Sequence, residues 1–152
     1  MDILSASVRD LKVLYARLPV PGVEMRRGFY RAQFIGPWWM RLSGAPTLAI
    51  TGLPGWQGKR FLTENTGTNV LRRGGRIEER LHMTVEPVTS WVDGSVGLAL
   101  RYGSEAPAPW RWVRDELRMV DGSTLLGITF VDKPLIRHFP FPFLLVRESE
   151  HD

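Results

Sequence analysis

Three dipeptides, Gly74-Gly75, Asp93-Gly94 and Asp121-Gly122, divide the second half of the chain into runs that alternate apolar and polar residues. Each can supply the positive φ that a two-residue hairpin turn demands, so the runs between them read as successive antiparallel strands. Those runs span 66–73, 76–92, 95–102, 111–120 and 123–131. A last strand, 141–147, follows the proline-punctuated stretch KPLIRHFPFP. Together with 28–35 and 59–65 they make about eight short strands, the number that closes into a small barrel able to hold one ligand. At 152 residues the chain is one domain, 1–152, with its antiparallel strands in 59–147.

The turns also imply registers. A two-residue turn at Asp121-Gly122 sets Leu117 opposite Leu126, Asp115 opposite Ile128 and Val113 opposite Phe130. One at Asp93-Gly94 sets Trp91 opposite Val96, Thr89 opposite Leu98 and Val85 opposite Tyr102. Both arrangements place apolar residues opposite apolar ones, as a buried sheet face requires. At Gly74-Gly75 the pairs are Glu79 with Val70, Leu81 with Thr68 and Met83 with Thr66. A slip of one residue there turns Asn69 and Leu71 inward instead.

Two segments precede the meander. Residues 7–18 read as a helix: Ser7 can cap its start, Val8, Leu11, Tyr15 and Leu18 form one apolar face, and Pro19 ends it. Residues 34–56, FIGPWWMRLSGAPTLAITGLPGW, carry Arg41 as their only charge. Pro37, Pro46, Pro54 and the glycines break any spanning helix. The segment is expected as an irregular lid of short helical turns, with Trp38, Trp39 or Trp56 reaching the cavity mouth. A shallow membrane contact through its Trp and Arg is the alternative reading.

Several blocks resemble the bacterial GXWXG-type proteins of unknown function, a calycin-like, lipocalin-like family. Residues 14–21 resemble the family's proline-rich link. Gly28-Phe29-Tyr30-Arg31-Ala32 occupies the signature position, with Tyr30 for Trp and Ala32 for the last Gly. Trp56-Gln57-Gly58-Lys59-Arg60-Phe61 matches a W-x-G-K-x-F block, and 121–127, DGSTLLG, with 141–147 match the end. The resemblance implies a mainly β fold, a small antiparallel calycin-like barrel with a short N-terminal helix.

Charge and composition exclude several classes. There is no cysteine, so disulfides, thiolate metal sites and cysteine nucleophiles are out. The net charge of +4 comes from seventeen arginines and three lysines scattered among acids. Runs such as RIEER and RWVRDELR read as solvated faces, and no clustered patch points to nucleic acid. No leader is visible at the N-terminus, which with the lack of cysteine suggests a cytoplasmic protein. His82, His138 and His151 lack metal-ligand spacing, so neither a metal nor another cofactor is expected. His138 is the residue a haem would use as axial ligand if this barrel carried one. Nucleophile-elbow and phosphate-loop patterns are absent.

Two carboxylates fall on apolar faces: Glu79 among Ile77, Leu81, Met83 and Val85, and Asp115 among Val113, Leu117 and Met119. A carboxylate so placed must be paired, hydrogen-bonded or protonated, which makes both candidate acids or bases. An internal ion pair, for example with Arg72, is the simpler account. The expected ligand-binding residues are Tyr30, Trp56, Thr68, Leu81, Met83, Leu98 and Tyr102, with Glu79 and Asp115 beside them. The first reading is a barrel binding a small hydrophobic molecule, amphipathic or wholly apolar. A cofactor-independent isomerase, cyclase or hydratase, or a structural barrel that binds a partner, are the alternatives. A homodimer is compatible with each.

Overall fold

The computed structural model describes residues 2–148, so His151 lies outside the described residues. Helix α1, Val8–Arg17, starts where the sequence places it: the Ser7 hydroxyl accepts from the Asp10 amide at 3.1 Å. Eight strands follow: β1 Gly28–Phe34, β2 Trp56–Thr63, β3 Thr66–Arg73, β4 Arg76–Thr89, β5 Val96–Arg101, β6 Val113–Asp121, β7 Thr124–Val131 and β8 Phe141–Glu148. Each pairs antiparallel with the next, and β8 returns to β1, closing the barrel. Closure leaves no strand edge unpaired. The expected mainly β barrel with an N-terminal helix is therefore the observed fold.

Where the turns set the register, the outcome differs at each hairpin. At Gly74-Gly75, Arg73 pairs with Arg76 and Val70 with Glu79, as expected. The ladder then bulges: Asn69 pairs with Arg80 but Gly67 with Met83, and Leu81 takes φ 60° to absorb the extra residue. The slip points Asn69 and Leu71 into the barrel and leaves Glu79 outside. The Asp93-Gly94 turn is wider than two residues, because the Asp93 carboxylate accepts from both the amide and the hydroxyl of Ser95. Thr89 consequently pairs with Val96 and Val85 with Leu100, an offset of two that preserves the faces.

At the third hairpin the turn moves to Gly122-Ser123, with Asp121 pairing Thr124, and a bulge precedes it. Leu117 faces Gly127, Asp115 faces Thr129, and Val113 faces Val131. Gly127 lies inside because the Phe143 ring fills the space a side chain there would need. Leu126, Ile128 and Phe130 turn outward to pack with Leu11 and Tyr15 of α1. Both faces of β7 are apolar, so apolar matching alone does not choose its register.

Residues 34–56 are also more regular than expected. Trp38–Thr51 forms a single helix, α2, of 14 residues that includes Pro46 and ends at Gly52 in the left-handed region, φ 116°. The prolines do not break it. Pro37 precedes the first turn, where no amide bond is needed, and exposed Pro46 forfeits one ladder bond. Among the described residues no helix is long and apolar enough to cross a membrane.

RWVRDELR is not a solvated face either. Arg114, Glu116 and Arg118 are buried between the barrel wall, α1 and the 90–95 turn. Glu116 accepts from Tyr15 Oη (3.3 Å), Ser90 Oγ (2.6 Å), the Trp91 amide (2.9 Å) and Arg114 Nη2 (3.0 Å). Arg118 donates to the Tyr15 and Leu18 carbonyls at the C-terminus of α1, where a cation complements the helix dipole. This cluster fastens α1 to the barrel.

Candidate functional site

The barrel interior divides along its axis. One half is packed with Phe61, Met83, Val85, Leu98, Leu100, Leu117, Leu125 and Leu145. Its end is closed at a 3₁₀ turn, Val23–Met25, whose Met25 carbonyl accepts from Tyr30 Oη at 2.6 Å. The other half holds a cavity of about 330 Å³, within the range of small-molecule sites. Helix α2 lies over it and contributes Met40, Gly44, Thr47 and Leu48, spaced as one helical face. Trp56, Trp110, Phe143 and Phe34 form much of the remaining wall, which is almost all carbon.

A polar cluster interrupts that wall: Lys59 from β2, Asn69 from β3, Tyr102 just after β5, Asp115 from β6 and Thr129 from β7. Lys59 Nζ donates to Asn69 Oδ1 (2.9 Å) and Tyr102 Oη (2.8 Å) and pairs with Asp115 Oδ2 at 3.1 Å. Tyr102 Oη lies 3.2 Å from Asp115 Oδ2, and Thr129 Oγ1 donates to Asp115 Oδ1 at 2.6 Å. Trp56 Nε1 donates to Asn69 Oδ1 at 3.1 Å. Only 4% of either the Lys59 or the Asp115 side chain meets solvent.

Local backbone geometry places the lysine. Gly58 precedes it, and a Cβ at Gly58 would strike the Tyr30 carbonyl oxygen, so only glycine lets β2 lie this close to β1. Phe61, two residues on, points into the packed half, and the two-residue period carries Lys59 inward with it.

Burial alone would drive the lysine to lose its charge. Tyr102 and Asp115 more than offset that, and the net effect raises its pKa. Burial, reinforced by the Asp115 charge, pushes the Tyr102 phenol up to about 12. Burial likewise raises Tyr15 and Tyr30, although Arg118 and Arg147 oppose it. These are the chain's three tyrosines.

The folded protein should therefore develop little phenolate absorbance near pH 10, where free tyrosine titrates. A group with a raised folded pKa stabilises the fold below its unfolded pKa and loses that contribution as pH climbs to the folded value. For Tyr102 the window runs from 10.0 to about 12. Absorbance near 295 nm should rise together with loss of the near-ultraviolet circular dichroism. A separate tyrosine titration at pH 10 in folded protein would contradict this.

Of the residues singled out from sequence, Trp56, Tyr102 and Asp115 meet in the cavity. Tyr30, Met83 and Leu98 are buried in the packed half, and Leu81 is half-buried against it, so none of these four lines the cavity. Thr68 is buried outside the cavity, its hydroxyl near the Arg80 carbonyl at 3.4 Å. Glu79 faces out and pairs with Arg60 at 3.4 Å rather than with Arg72, since the bulge in β4 reverses the face expected for it. Trp38 and Trp39 are exposed, at 67% and 51%, and do not point into the cavity. His138 lies in an outer groove between α1 and α2, away from the cavity. No group of His, Asp and Glu that could hold a metal occurs among the described residues.

Lys59, Thr129 and Trp110 are site residues that sequence reasoning passed over, and Asn69 entered it only through the one-residue slip that the bulge produces. The signal for Lys59 was its place two residues before Phe61, on the inward parity of a strand.

No family model matches the chain, and no curated protein matches it. A solved crystal structure of a protein from Thermomonospora curvata is similar in fold, with a TM-score of 0.71 and 21% identity. The match covers 95% of this chain and 90% of that one.

Proposed function

We propose that the barrel binds a small amphipathic molecule, with its apolar body against Trp56, Trp110, Phe143 and α2 and a hydroxyl directed at Asp115. The cavity itself carries this reading: a largely apolar space of about 330 Å³ with a single charged corner. That corner has acceptors left and no donors. The three ammonium protons of Lys59 have three partners, and the Tyr102 proton serves Asp115. Asp115 Oδ1 accepts only from Thr129 among the described residues, so one lone pair remains. A ligand that donates completes the network. One that brings a carboxylate must break it and bury a second negative charge.

Calorimetry with decanol and decanoate tests this. One decanol per chain is expected, bound at least ~10-fold tighter than decanoate, about 1.4 kcal/mol. Thr47→Trp, at an exposed position of α2 that lines the cavity, should abolish binding without unfolding the chain. Equal affinity for the two probes, or a preference for decanoate, would overturn the assignment.

A second reading, a cofactor-independent isomerase, cyclase or hydratase, is favoured by one observation. A protonated phenol, an ammonium and a carboxylate meet in a corner largely shielded from water, as acid–base chemistry requires. Asp115 and Tyr102 line the cavity there and would serve as the base and the acid. Under this reading Asp115→Asn removes turnover and leaves affinity nearly intact, whereas a carrier shows no turnover to lose. Kinship with the GXWXG-type family and a cytoplasmic site of action belong to the same proposal. They rest on the W-x-G-K-x-F block and on the absence of cysteine.

A further inference from the structure

Helix α2 has an apolar outer face as well as a cavity-lining inner one. Its inner face lines the cavity, and its outer face presents Trp38, Trp39, Leu42 and Ile50 to solvent, the last two at 71% and 87% exposure. A helix resting on a barrel ordinarily turns polar residues outward, whereas α2 has Arg41 as its one charge. The neighbouring segment 133–141 adds exposed Leu135 and Phe139. An outer groove between α1 and this segment joins Trp39 to Phe139. The result is a broad apolar surface over the cavity, larger than scattered exposed side chains account for.

The charges around it have one prevailing sign. Arg9 and Lys12 line the groove, which has no acidic lining residue. Arg41 projects from α2, and Lys133 and Arg137 lie within the segment, Lys133 over the Trp112 ring and Arg137 over the Trp91 ring with Asp132 as an acid partner. Paired tryptophans on an apolar helix face, ringed by cations, match the interfacial layer of an anionic bilayer: rings at headgroup depth, cations on phosphates. A second copy fits less well, since a two-fold contact would set these cations against their own equivalents.

We propose that the face formed by α2 and residues 133–141 docks on an anionic lipid surface. In that seat the helix separating the cavity from the exterior lies in the lipid interface, where an apolar ligand can pass between bilayer and barrel without crossing water. The docking is read without added ligand, so it stands or falls separately from the cavity assignment.

The test is flotation with vesicles of phosphatidylcholine alone and of equimolar phosphatidylcholine and phosphatidylglycerol. The protein should float with the anionic vesicles, with a blue shift in tryptophan emission, and should bind less at high salt. Trp38→Ser combined with Trp39→Ser should weaken this binding at least ~10-fold. Both side chains are exposed, so the fold and the decanol affinity should be unchanged. Failure to float with either vesicle type, or flotation that survives the double substitution, would overturn the proposal. So would light scattering that shows a dimer which the same substitutions convert to monomer, since the face would then belong to a second copy.

Discussion

Glu116→Ala is expected to lower the unfolding free energy by roughly 3–5 kcal/mol, a large share of the ~5–15 kcal/mol available to a domain. Glu116 has no exposed surface and takes four donors, two on each carboxylate oxygen. Alanine would strand the Arg114 guanidinium, which keeps the Thr89 carbonyl at 2.7 Å and the Trp91 ring as its contacts. It would also leave the Ser90 hydroxyl and the Trp91 amide buried without their carboxylate. Tyr15→Phe removes one donor of the four and should cost only about 1 kcal/mol. Urea midpoints for both variants check the ordering. A Glu116→Ala loss below about 1 kcal/mol would show that water reaches the cluster and that α1 is held by its apolar face alone.

The second large effect concerns the ion pair in the cavity. Asp115→Leu should cost about 3–5 kcal/mol, because it leaves the Lys59 ammonium buried with only neutral partners. Adding Lys59→Met to the same chain should recover most of that loss, since replacing both members of a buried pair by apolar groups is often nearly neutral. The double variant should nevertheless bind decanol about 10-fold more weakly, having lost the acceptor for its hydroxyl. Thermal melts and calorimetry on the three chains separate the two roles. A double variant as unstable as Asp115→Leu alone would mean that the pair is chiefly a structural fastening. A double variant of full affinity would remove Asp115 from the binding site.

These two carboxylates show how far the sequence could be read. Strand number, the N-terminal helix and the inward parity of Val113, Asp115 and Leu117 follow from hairpin turns and two-residue alternation, both local properties. Register is not local. It depends on the bulge at Leu81, on a turn widened by the Asp93 carboxylate, and on the Phe143 ring that selects Gly127 for the inside of β7.

A one-residue slip reverses every face beyond it, and so Glu79 and Asn69 exchanged places relative to expectation. Glu116 was obscured for a related reason. Its strand carries charges on the outer side, as a solvated strand would, and only the packing of α1 and the 90–95 turn over that side buries them. Helix α2 shows the opposite error. Proline spacing argued against a regular element, yet one proline sits at the cap and the other faces solvent, where a missing bond costs least.

A crystal structure of the protein with decanol bears most directly on the central claim. One decanol is expected beneath α2, its chain against Leu48, Trp56, Trp110 and Phe143 and its hydroxyl within hydrogen-bond distance of Asp115. Decanol lodged in the outer groove beside Phe139, or a cavity filled by ordered water while decanol is absent, would contradict it.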